Sequence, residues 1–234
     1  MLNELDSVYL ALKLGISHIT LGIITKYVIM PKVIKMEIMR FSLGSLRSNC
    51  YVVFEDKRAF IIDPGYESDE VIRFIKKNEL NVEAIYITHG HPDHVGGVKQ
   101  MKDTFNCMVY APLKDRIWMG KTTYNQIGYE IPVDHFVVDQ EILCFIGHEF
   151  TVYETPGHSE GSTVLHTDHI LFSGDTLFYQ SIGRTDIPLS DSKVIYQSIK
   201  RIYQLFDEDT IVYPGHGRST DIGHEKKFNP FVKA

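Results

Sequence analysis

Cysteine is scarce in this sequence: Cys50, Cys107 and Cys144 are odd in number, widely spaced and form no CxxC pair. That argues against a disulfide scaffold and against cysteine ligation of zinc, and it points to a reduced, cytoplasmic protein in which each Cys is a small buried hydrophobe. Positive charge is also in deficit, with 24 Lys and Arg against 30 Asp and Glu, a formal net charge of −6, and no Lys/Arg run. A nucleic-acid footprint normally needs a basic face, so no nucleic-acid partner is expected. A small-molecule substrate would be drawn by local charge rather than by the net field. Long hydrophobic runs are missing as well. Leu10 to Val33 is largely aliphatic, but Lys13, His18 and Lys26 interrupt it. Its longest uncharged stretch, Leu14 to Thr25, falls short of the ~20 residues of a transmembrane helix. The opening Met1-Leu-Asn-Glu-Leu-Asp6 is acidic, unlike the basic start of a signal peptide.

What is present is ordinary globular material, 44% hydrophobic and 23% charged over 234 residues. Residues 1–35 read as an N-terminal extension, either an added element or a stretch upstream of a start at Met30, Met36 or Met39. Residues 36–234 read as the main domain. From Phe41 onward short strands alternate with helices. Cys50–Phe54 and Ala59–Ile62 flank the charged Glu55-Asp-Lys-Arg58 as a hairpin. Ser68 is placed to cap a helix with Asp69 and Glu70 in its first turn and Val71, Phe74 and Ile75 inside. Ala84–Thr88, Met108–Ala111, Phe150–Glu154, Thr163–His166, Ile170–Phe172 and Ile211–Tyr213 read as further strands. Asp191–Phe206 and Ile222–Phe228 read as helices. Asp115–His135 has no firm period and reads as a long loop or broken helix, a usual place for substrate-covering elements. Two clusters of strands with helices between and after them imply two sheets with helices outside.

The chemistry concentrates in Thr88-His-Gly-His-Pro-Asp-His94, where three imidazoles and a carboxylate directly follow a strand. Alternate residues after a strand can point one way, so His89 and His91 can reach one metal while Asp93 and His94 face a second. Imidazole with carboxylate suits zinc, iron or manganese; a calcium site would show more carboxylates. His158 in Thr155-Pro-Gly-His, Asp175 in Ser173-Gly-Asp and His216 in Pro214-Gly-His each follow an expected strand and lie beside glycine, where backbone can crowd a site. Singly, each reads as a surface or hydrogen-bonded residue. Together with the first cluster they make five His and two Asp, enough for two ions. Phe178 and Tyr179 are close enough to Asp175 to line a pocket, or to pack in the core. Asp63 reads as a turn residue that could also bond a ligand imidazole. Arg184 and Asp186 read as an ion pair, structural or behind the ligands, with substrate binding by Arg184 as the alternative. His18, His135, His148, His166, His169 and His224 read as ordinary histidines.

These motifs, with Gly161-Ser162, Gly183-Arg-Thr-Asp186 and Asn229-Pro230-Phe231, resemble the metallo-β-lactamase superfamily and, within it, the glyoxalase II-like hydrolases, over roughly Phe41 to Val232. The resemblance implies an α+β fold, an αββα sandwich of two mixed sheets flanked by helices. It also implies His89, His91 and His158 on one ion, Asp93, His94 and His216 on the other, and Asp175 bridging. The expected cofactors are two divalent ions, zinc first, with iron or manganese as alternatives. The expected reaction is hydrolysis of a thioester or related acyl compound by a metal-bound hydroxide that Asp93 orients. Full-length glyoxalase II resembles this core plus a C-terminal helical domain that holds glutathione. Here the sequence ends at Ala234, and Ile187-Pro-Leu-Ser190 replaces the usual Gly-rich spacing, which leaves the thiol half of the substrate open. The alternative from another class is a mononuclear iron persulfide dioxygenase, whose members resemble the same core and use two His and one Asp.

Overall fold

The computed structural model describes residues 36–233, so the reading of residues 1–35 as an extension lies outside the described residues. Side-chain alternation along the strands builds the layers. In β2 (Ser48–Glu55) and β3 (Arg58–Ile62) both faces are buried, and the two sets of side chains enter different cores. Cys50, Val52, Ala59 and Ile61 pack with Val71, Ile75, Val98 and Met101 of the helices α1 (Asp69–Lys77) and α3 (Val98–Phe105). Tyr51, Val53, Phe60 and Ile62 pack with Phe145, Phe150, Val152, Leu165 and Phe172 of a second sheet. The outer face of that sheet, through Val164, Leu171 and Val212, packs on Ile195, Ile199 and Ile202 of α5 (Ser192–Leu205). A period of two in the strands thus sorts residues into three apolar seams and four layers, helix, sheet, sheet and helix. This is the α+β sandwich expected from the motifs.

The first sheet runs β1-β2-β3-β4-β5-β6 and the second β14-β13-β10-β9-β8-β7. In the first, β1 (Glu37–Leu43) and β2 and then β3 pair antiparallel, while β4 (Asn81–Tyr86), β5 (Met108–Pro112) and β6 (His135–Val137) continue in parallel. In the second, β10 (Ile170–Gly174) runs parallel to β13 (Ile211–Pro214). Antiparallel β9 (Thr163–Thr167), β8 (His148–Glu154) and β7 (Ile142–Phe145) complete one side and β14 (Thr220–Asp221) the other. Among the described residues no helix is long and apolar enough to cross a membrane.

Local chemistry sets the helix ends. Ser68 Oγ accepts from Val71 N with Asp69 and Glu70 in the first turn of α1, and Asp191 caps α5 through Lys193 and Val194 N–H groups. One expectation changes, and one element carries little sequence signal. Cys144 is exposed, because it sits on edge strand β7, whereas Cys50 and Cys107 are buried. β1 is a strand with four of its seven residues exposed, so it carries little apolar signal. The stretch after Pro112 is a broken helix and loop, as expected: a 3-10 turn (Leu113–Asp115) and the one-turn helix α4 (Arg116–Met119) precede irregular chain, and they bury Asp115, Trp118 and Met119.

Candidate metal centre

Strands deliver the chemistry to one edge. Parallel pairing of β3 with β4, and of β10 with β13, puts their carboxyl ends side by side, followed by Asp63, His89, Asp175 and His216. The loop after β8 brings His158. The short helix α2 (Pro92–Val95), with proline in its first turn, carries Asp93 and His94 immediately after His91. Across the sandwich the start of β2 clamps the His216 loop: Asn49 N–H donates to Gly215 O at 2.6 Å, its amide to Pro214 O and Gly217 O at 2.8 and 2.9 Å, and Tyr51 hydroxyl to Pro214 O at 2.7 Å. Gly215 is glycine for a steric reason: a Cβ there would lie 2.1 Å from Asp175 Oδ1 and 2.8 Å from His94 Cε1.

The seven residues singled out in the sequence come together at one edge of the sandwich. His89, His91 and His158 form one group and Asp93, His94 and His216 the other; within each, the ligating atoms lie within 4.8 Å of one another. Asp175 lies between them, with Oδ2 at 3.4 Å from His158 Nε2 and 3.5 Å from His216 Nε2, and Oδ1 at 3.4 Å from His94 Nε2. Asp93 Oδ2 is 3.2 Å from His216 Nε2 and 3.6 Å from His94 Nε2.

Hydrogen bonds behind the imidazoles select which nitrogen faces inward. Asp63 Oδ2 accepts from the Thr88 hydroxyl at 2.6 Å and from His94 Nδ1–H at 3.0 Å. Having given its only proton to Asp63, the Thr88 hydroxyl accepts from His89 Nδ1–H at 3.0 Å. His158 Nδ1–H donates to Arg184 O at 2.8 Å. His89, His94 and His158 therefore each turn Nε2 toward the groups, the arrangement by which outer partners orient metal-ligating histidines. His91 uses its other nitrogen, with Nδ1 facing His158 Nε2 at 2.8 Å.

His89 Nε2, His91 Nε2, His94 Nε2 and Asp175 Oδ1 are buried with no hydrogen-bond partner in the protein. Buried polar atoms are nearly always paired, since leaving one unpaired costs free energy. The inward-facing atoms among them, His89 Nε2 on one group, His94 Nε2 on the other and Asp175 Oδ1 between, form an imidazole and carboxylate donor set that fits divalent cations of the zinc, iron or manganese kind.

The two groups differ in charge. Burial, with the neighbouring imidazoles, pushes His91 down to about 3 and His89 well below its usual range, so both are neutral. Burial also opposes charge on His94 and His216, but Asp175 and Asp63 outweigh it at His94, and Asp175 and Asp93 at His216. His94 is thus raised well above its usual range and His216 to about 9. Burial likewise resists ionisation of Asp93 and Asp175, and the facing His216 and His94 imidazoles overcome it, placing both carboxyls below the usual range. In the metal-free protein the raised His216 contributes stability that is fully present below about 6.5 and lost as pH rises through about 9. Metal loading should therefore release protons from the Asp93, His94 and His216 group at pH 7 and none from the His89 and His91 pair. Calorimetric titrations in buffers of different ionisation enthalpy are expected to register proton release on metal binding at pH 7, with affinity rising toward pH 9. Metal binding with no proton release would contradict the assignment.

The remaining candidates separate. Phe178 joins Leu46, Tyr66, Trp118, Ile182 and Ile187 around a cavity of about 700 Å³ that reaches His91, Asp93, Asp175 and His216. Tyr179 does not line it; its ring lies under the Arg218 guanidinium at 3.5 Å and against His224. Arg184 also lines the cavity; its guanidinium pairs with Asp186 at 2.7 and 2.9 Å in solvent, and its carbonyl reaches His158. Asn49, Tyr51, Asp115 and Trp118 escaped the sequence reading. Each is a single polar or aromatic residue inside an apolar or irregular stretch, with no spacing signal.

The chain matches the Metallo-beta-lactamase superfamily over residues 43–216. It is 34% identical to hydroxyacylglutathione hydrolase GloC of Haemophilus influenzae over 210 residues, covering 85% of this chain and 99% of that protein. Among solved structures it is similar to BLEG-1 B3 metallo-beta-lactamase, with a TM-score of 0.78 and 38% identity over 85% of this chain and 100% of that one. It is also similar to TTHA1623 in a di-iron-bound form, with a TM-score of 0.73 and 32% identity over 83% and 100% of the two chains.

Proposed function

Because the chain belongs to the metallo-beta-lactamase superfamily and is a metal-dependent hydrolase of that group, we propose that it is a binuclear enzyme cleaving a small thioester or related acyl compound. The observation that carries this reading is Asp175, whose two oxygens lie 3.4–3.5 Å from imidazoles of both ligand groups. His89, His91 and His158 would hold one divalent ion and Asp93, His94 and His216 the other, with Asp175 shared. Zinc is the simplest choice, and iron or manganese the alternatives that availability decides. When bound, such ions acidify a water and polarise a carbonyl oxygen. The hydroxyacylglutathione named for the Haemophilus relative is a thioester, and the di-iron form of the TTHA1623 protein favours two ions.

The protein's own contribution is positioning and proton handling. Asp63 and Thr88 fix the tautomers of His94 and His89, so no ring has to reorient during turnover. Asp93 Oδ2 faces the centre from α2 and would hold the proton side of the attacking water. The apolar wall of Leu46, Tyr66, Trp118 and Phe178 would receive the organic part of the substrate and limit competing water. Water adds to the acyl carbon, the bond from that carbon to sulfur breaks, and the products are a carboxylate and a thiol with one proton released.

With thiol release as readout, Asp93→Asn is expected to lower kcat by about 10²- to 10³-fold, the scale of losing one preorganised polar group. Chelation should abolish turnover, and added divalent metal should restore it. Metal-replete protein that hydrolyses no thioester, ester or lactone in a broad panel would overturn the reading.

A further inference from the structure

Asp115 is fully buried, and among the described residues no Lys or Arg pairs with its carboxylate. Its hydrogen bonds go instead to two separate loops. Oδ2 accepts from Gly90 N–H at 2.8 Å and from the Ser159 hydroxyl at 2.7 Å, and Oδ1 accepts from Gly161 N–H at 2.7 Å. Gly90 lies between His89 and His91, and Ser159 directly follows His158. One carboxylate thus joins the two loops that carry the three imidazoles of a single group.

The surroundings are built for this contact. A Cβ on Gly161 would lie 2.4 Å from Asp115 N and 2.6 Å from its Oδ1, and a Cβ on Gly90 would lie 2.5 Å from Trp118 Cβ, so both loops approach the Asp115–Trp118 segment as closely as glycine permits. The Trp118 ring also meets the His91 ring edge to face at 4.5 Å. Nothing on this segment bonds Asp93, His94 or His216. Those are served by Asp63, Asn49 and Tyr51 through other loops. Burying a carboxylate without a cation is costly. Only an acceptor with two oxygens satisfies all three donors at once, because asparagine would turn an N–H toward one of them.

We infer that Asp115 is a positioning residue that sets the His89–His91 loop against the His158 loop, and so governs the metal affinity of that group alone. The inference rests on the two-group reading above; Asp63 serves both groups, reaching His94 directly and His89 through Thr88, whereas Asp115 bonds only the loops of the first.

The test is D115N in the full chain, examined by zinc titration against a chromophoric chelator in two backgrounds. With H216A the remaining site is His89, His91 and His158, and D115N should weaken its zinc affinity by about 10- to 100-fold, the usual scale for a partner behind a ligand. With H89A the remaining affinity should change by less than about threefold. Ser159→Ala, which removes one of the three donors and no charge, should weaken the same site by a smaller factor, and it carries the test if D115N fails to fold. Equal weakening in both backgrounds, or none in either, would overturn the inference. Uptake of a single ion by the wild-type chain would contradict the binuclear reading instead. D115N would then still decide the inference by whether affinity for that ion falls.

Discussion

Replacing Asp175 with alanine is expected to reduce hydrolysis by about 10³-fold and to lower bound metal to one ion or fewer per chain. The size follows from what the carboxylate does. Of the two carboxylates among the seven candidate ligands, it is the one placed near imidazoles of both groups, at 3.4 Å from His94 and His158 and 3.5 Å from His216. Loss of a group whose charge stabilises a cationic centre removes several kcal/mol of transition-state stabilisation, and about 4 kcal/mol corresponds to roughly 10³ in rate. A second consequence separates this effect from misfolding. Asp175 suppresses the repulsion among five clustered imidazoles, so in the metal-free variant His94 and His216 should lose much of the elevation that Asp175 gives them. Nuclear magnetic resonance titration of the imidazole signals reads this directly. Unchanged His94 and His216 titration, or full activity, would show that Asp175 is not the shared group.

Removing Asp63 should cost stability as well as metal affinity, because it holds the imidazoles of His94 and, through Thr88, His89. Asp63 is buried, in the left-handed region at φ 48, and accepts from Thr88 N–H, the Thr88 hydroxyl and His94 Nδ1–H. Breaking a buried charged pair by deleting one partner costs about 3–5 kcal/mol, a large share of the ~5–15 kcal/mol that holds a typical domain. Since Asp175 also faces His94, the lower end, about 3 kcal/mol, is expected for Asp63→Ala in urea unfolding of the metal-free protein. The sign with pH follows from the raised His94. The pairing contributes fully below the unfolded histidine value and fades as pH rises through the folded one, so the gap between wild type and variant should narrow at alkaline pH. A gap under about 1 kcal/mol, or one that widens with pH, would contradict this account.

The layers and most of the site could be read from the chain before any coordinates. Period-two burial in Cys50–Phe54 and Ala59–Ile62, the Ser68 cap and the apolar face of the Asp191–Phe206 helix are local signals, and each became an element within a few residues of its expected limits. The density of ligand-type residues between His89 and His94, with glycine beside His158, Asp175 and His216, was enough to gather the seven residues that the fold brings to one edge. What stayed hidden depends on long-range partners. β1 is an edge strand with few buried residues, and the strands β6 and β7 are short. Asp115 and Asn49 matter through what they touch 44 and 168 residues away, which no spacing rule records. Tyr179 was misplaced because a strand turn, β11 (Leu177–Phe178) to β12 (Ser181–Ile182), sends successive aromatics to opposite sides. Phe178 therefore faces the cavity and Tyr179 faces Arg218.

Metal content per chain, measured on anaerobically purified protein by elemental analysis together with thioester turnover and oxygen uptake on a persulfide, tests the central claim most directly. The account predicts about two divalent ions, thiol release that scales with their occupancy, and no oxygen uptake. A single iron with oxygen consumption and no hydrolysis would contradict it and make the chain a mononuclear dioxygenase.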